Sequence, residues 1–163
     1  MAGSRRTNLV IVAVALAVAA LAAATVVVLG SNRSVGRSVV SRGEAIFQAG
    51  VDANGNPIPR SGGGMMGGGM MVAGCATCHG PDGHGRATPM FTSPNITYGN
   101  LTDPQGMLQP DGTRGPTYTN ATLRTAVTQG LDPEGSRLQS PMPQWQLTSG
   151  QWGDLLAYLK TLK

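Results

Sequence analysis

Aromatic side chains are scarce, at 4% of 163 residues, and so are charged ones, at 12%. Cysteine is down to two and histidine to two. Glycine and proline, by contrast, number 24 and 11. A chain of this make-up builds a small apolar core and many turns, and at this length it is one domain plus extras. Two cysteines leave no other pairing within the chain to compete for them. A structural zinc site needs four ligands, and beyond one Cys-Cys-His cluster only His84 remains as a conventional nitrogen or sulfur donor. Basic residues nowhere gather into the patch or stripe that nucleic-acid binding requires. The net charge of +4 owes part of its size to Arg5 and Arg6, which precede a long apolar run.

What is present is Cys75-Ala76-Thr77-Cys78-His79. C-x-x-C-H is the attachment signal of a c-type haem. The spacing has a chemical reason. Two thiols three positions apart on one helical turn can form thioethers to the two vinyl groups of one porphyrin, and the next residue presents an imidazole to the iron. A thioredoxin-like dithiol is the competing reading of C-x-x-C. That motif opens a helix after a strand, whereas this one follows a Gly/Met tract and leads into the turn Gly80-Pro81-Asp82-Gly83. A buried haem would also supply the apolar volume that the side chains lack.

Leu9 to Leu29 is an uninterrupted run of Leu, Val, Ile and Ala broken only by Thr25. As a helix it spans about 30 Å, the hydrocarbon thickness of a bilayer. A cleaved signal would have a shorter apolar region, with Ala22-Ala23-Ala24 as its small-residue site. The expected organisation is a cytoplasmic N-terminus (1–8), a transmembrane anchor (9–29), a linker (30–37) and a haem domain (38–163) carrying a Met/Gly-rich insertion (60–74). Arginines flank both ends of the apolar run, so charge does not set its orientation.

Within the domain, periodicity predicts a helix over 35–50, with Gly50 as its stop. Asp52 to Pro57 reads as a turn. Seven glycines and four methionines fill the stretch from Gly62 to Gly74. It reads as a flexible loop, as a pliable apolar docking surface, or as a thioether Cu(I) site. His84, five positions after His79 in a tight turn, is an exposed loop residue rather than an iron ligand. The proline-rich stretch 88–116 would wrap the cofactor edge. Helices are expected over 120–129 and 149–162, the second opened by the capping box Thr148-Ser149-Gly150-Gln151. Between them, Pro141-Met142-Pro143 holds a thioether on a stiff, non-helical backbone, which suits a sixth iron ligand. An ordinary core methionine is the plainer reading, and Met90 and Met107 compete for the role.

Three stretches resemble the class I cytochromes c: Cys75-Ala76-Thr77-Cys78-His79-Gly80, Pro141-Met142-Pro143-Gln144-Trp145, and Trp152 to Lys160. The likeness covers roughly residues 38–163. It implies a small all-α fold around one covalent haem c on Cys75 and Cys78, with His79 as proximal and Met142 as distal iron ligand. Gly43 would be the glycine where the first and last helices cross, and Phe47 a core aromatic. Thioether attachment in such proteins occurs outside the cytoplasm. The implied protein is therefore a single-pass protein of the cytoplasmic membrane, its haem domain on the external, periplasmic side. One-electron transfer is the implied function, as an electron carrier and not an enzyme by itself. Redox proteins or other subunits of a respiratory or photosynthetic complex, such as alternative complex III, are the implied partners. A haem enzyme or ligand sensor with an open distal site is the alternative.

Overall fold

The computed structural model describes residues 38–62, 74–89 and 91–163. Segments 1–8, 9–29 and 30–37, most of the Met/Gly tract and Met90 lie outside the described residues. Among the described residues no helix is long and apolar enough to cross a membrane.

Helix α1 covers residues 38–49 of the described chain. It stops where Gly50 takes φ 66°, a left-handed conformation that costs glycine nothing. Strand β1 is Arg60–Ser61, and helix α2, Ala76–His79, is the short turn that carries the Cys-x-x-Cys-His motif. Strands β2, Arg86–Ala87, and β3, Thr92–Ser93, pair antiparallel. Helix α3 is Tyr98–Leu101 and helix α4 is Asn120–Gln129. Strand β4, Gln144–Trp145, pairs antiparallel with β1, and helix α5, Ser149–Leu159, closes the chain.

The fold is mostly helical, as expected, with two antiparallel ladders of two residue pairs each among the described residues. The two small ladders escape sequence reading because strands of two residues carry no alternation. Helix α4 has the predicted bounds. Helix α5 ends three residues earlier than predicted, and its capping box is formed: Thr148 Oγ accepts from the Gln151 N–H while Gln151 Oε1 accepts from the Thr148 N–H.

Helices α1 and α5 cross at Gly43. A Cβ at that position would overlap the Asp154 carbonyl and meet the Tyr158 Cβ, so only glycine permits the approach. Beside the crossing, Arg42 grips Asp154 with two donors, Nε to Oδ2 at 2.8 Å and Nη2 to Oδ1 at 2.9 Å. The Phe47 side chain, fully buried, tilts against the Tyr158 ring with centroids 5.3 Å apart. Burying such a ring is worth about 1.5–3 kcal/mol.

One loop form occurs three times, at 50–58, 107–115 and 130–138. Each closes with an isolated bridge: Val51 with Pro57, Leu108 with Arg114, Leu131 with Arg137. Each repeats the same backbone bonds, for example Ile58 N–H to Gly50 O, Gly115 N–H to Met107 O and Leu138 N–H to Gly130 O. In the first and third, one aspartate anchors two amides: Asp52 Oδ1 takes Asn54 and Asn56, and Asp132 Oδ1 takes Glu134 and Ser136.

Candidate haem site

Helix α2 begins against the end of α1. A Cβ on Gly74 would overlap the Phe47 carbonyl, so a glycine ahead of Cys75 lets the two backbones touch. From there the motif turns its residues toward a cavity of about 780 Å³, within the range of roughly 300–1,000 Å³ usual for ligand sites. Cys75, Cys78, His79 and Met142 all line it. Leu101, Leu123, Ala126, Leu155 and Leu159, which belong to the buried core, line it too.

His79 is 7% exposed. Its Nδ1 lies 2.9 Å from the Pro94 carbonyl. A carbonyl can only accept, so Nδ1 carries the hydrogen and Nε2 keeps the lone pair that a metal requires. Burial lowers the imidazole pKa, and the Pro94 bond partly offsets this. The loop that supplies Pro94 is itself fastened to the motif, with Ser93 Oγ donating to the Cys78 carbonyl.

Burial pushes the Cys75 thiol up to about 12. Burial also raises Cys78, against a smaller opposing pull from Arg86. Neither cysteine is in a disulfide. A redox dithiol needs a depressed thiol pKa, so this environment argues against that reading. Among the described residues no three of His, Cys, Asp and Glu gather as a metal site. His84 is exposed, lies 3.4 Å from Asp82, and does not line the cavity.

Sequence reading missed three cavity-lining donors. Tyr118 is 8% exposed, Trp145 3%, and Arg137 is exposed at the rim. Among the described residues the Tyr118 hydroxyl, the Trp145 Nε1–H and the Arg137 guanidinium have no hydrogen-bond partner. Burial first, then the Asp132 carboxylate, raises the Tyr118 pKa, so the phenol remains a donor. None of these donor atoms is sealed from solvent; Tyr118 and Trp145 line the cavity and Arg137 stands at its rim, an arrangement that suits an acidic guest. Haem carries two propionate carboxylates on an apolar macrocycle, which matches an apolar wall, three donors, two thiols and two axial candidates. The residues present fit the group. Met107, one of the competing methionines, also lines the cavity and is 4% exposed.

A family model described as Cytochrome c matches residues 40–163. The chain belongs to the cytochrome c family. No curated protein and no solved structure matches it. Membership of the cytochrome c family brings one covalent haem c and electron transfer as the chemistry. The class I resemblance, expected over roughly residues 38–163, thus meets a family match over 40–163.

Proposed function

We propose that this cytochrome c is a membrane-tethered monohaem carrier that passes single electrons between redox proteins. The observation that carries the reading is the meeting of Cys75, Cys78, His79 and Met142 at one cavity. When bound, haem supplies an iron that changes valence by one electron. Cys75 and Cys78 hold the group by thioethers. His79 offers Nε2, fixed by the Pro94 bond, and Met142 offers its sulfur as the second axial donor. With His79 and Met142 both as donors the iron would have no place for substrate, and a thioether would raise the potential relative to two nitrogen ligands. Tyr118, Trp145 and Arg137 would hold the propionates.

The apolar run 9–29 anchors the chain in the cytoplasmic membrane, and the domain stands on the external side. Its partners are redox proteins or neighbouring subunits of a respiratory or photosynthetic complex, and the anchor together with the Met/Gly insertion favours a subunit. Carbonate-washed membranes should retain the protein, and external protease should release the haem domain. A soluble form starting near Thr25 would replace the anchor with a cleaved signal.

The ligand assignment is tested on the ferric protein. It should keep its haem through acid-acetone extraction and show a weak band at roughly 700 nm from the sulfur–iron bond. Met142→Ala should remove that band, lower the potential and, once reduced to the ferrous form, admit carbon monoxide. A wild-type spectrum without the band, with ready carbon monoxide binding, would favour an enzyme or sensor.

A further inference from the structure

The loop bearing Met142 is held from two directions. On one side, α4 packs against β4. There Gln144 lies against Gly130, close enough that a Cβ on the glycine would come 3.1 Å from Gln144 Nε2. On the other side lies β1, which reaches the loop from about 85 residues earlier in the chain, paired Arg60 to Trp145 and Ser61 to Gln144. The Gln146 N–H extends this ladder, donating to the Pro59 carbonyl at 2.8 Å. The pairing begins two residues after Met142.

Arg60 adds a side-chain contact to the backbone one. Its Cζ stands 5.2 Å from the centroid of the Trp145 ring. That separation is within the range of a cation–π pair, and the flat guanidinium suits stacking on an indole. Trp145 is buried and lines the haem cavity. Arg60 therefore bears on the cavity wall through the indole, three residues from the proposed axial sulfur.

The geometry points to strand β1 as the clamp of the distal-ligand loop, with Arg60 as a positioning residue that acts through Trp145. The inference rests on the reading of Met142 as the sixth ligand. A thioether is a weak donor to ferric iron, so its bond depends on a loop that cannot drift. Removing the stack loosens the loop, and the sulfur leaves the iron more often. Because the thioether favours ferrous iron, loosening it also lowers the potential.

The test uses the full-length haem-loaded protein in detergent, with Arg60→Gln, Arg60→Met and Arg60→Lys. Carbon monoxide binding to the ferrous form, the ferric band at roughly 700 nm and the midpoint potential are measured on each. Arg60→Gln and Arg60→Met should bind carbon monoxide about tenfold faster than wild type. They should also show a weakened band and a ferrous-to-ferric ratio about threefold lower at fixed ambient potential. That ratio is about 28 mV, at 59 mV per tenfold for one electron. Arg60→Lys, which keeps a cation over the ring, should recover part of all three. Wild-type rates, band and potential in both neutral variants would overturn the clamp alone. Loss of haem from both would also overturn it, making Arg60 a folding residue instead. A wild-type protein without the band would overturn the Met142 reading and the clamp with it.

Discussion

Met107 and Met142 meet the same cavity from different surroundings. Met107 is packed into the core, while Met142 is half-buried between two prolines. Truncating a core methionine costs about 2–5 kcal/mol. Met107→Ala should therefore lower the urea midpoint sharply while leaving the ferric band in place, the reverse of the outcome expected for Met142→Ala. Gly43 is a second position where one atom decides. Alanine is the better helix former by about 1 kcal/mol. Its Cβ, however, would overlap the Asp154 main chain, which cannot rotate aside as a side chain can. The helices must part, and the strain of such overpacking is about 1–3 kcal/mol. Parting them also stretches the Arg42–Asp154 fork, so Gly43→Ala should be destabilising in a denaturant melt despite the propensity gain.

Local signals made some elements legible and left others dark. Helix α5 was legible because Thr148 and Gln151 form the Thr-x-x-Gln box that the sequence displays. Thr148→Ala strips that cap and should cost about 1 kcal/mol, read as a lower melting temperature with unchanged haem spectrum. Helix α4 has the same reciprocal cap, but Thr122 stands where the pattern expects Glu or Gln, so the box itself was invisible. Its bounds were still readable from the apolar face of Leu123, Ala126 and Val127 and from Gly130 after it. The β1–β4 ladder had no such signal. It joins residues about 85 apart with two pairs, and nothing in Arg60-Ser61 announces Gln144-Trp145. Helix α3 was hidden in a stretch that its prolines marked as turns.

At the scale of the molecule, the core and the cofactor site are one structure. Leu123, Ala126, Leu155 and Leu159 are buried in the core and also face the cavity. A chain in which Cys75 and Cys78 are both replaced by serine should keep helix in far-ultraviolet dichroism. It should also lose near-ultraviolet dichroism and its cooperative melt, the signature of a molten state. The covalent motif was legible because five consecutive residues carry it. The donors Tyr118, Arg137 and Trp145 were not, since they come from two loops and strand β4 and converge only in the folded chain. The thrice-used loop has a further consequence. Its bends are set by bonds among its own nine residues, as in Gly55 N–H to Asp52 O and Gly135 N–H to Asp132 O. The backbone of such a segment closes on itself with one bridge. Its bend is self-made but its cargo is not: the copies send Ile58, Met107 and Leu138 inward, so turn residues can be traded between copies only where those inward side chains stay.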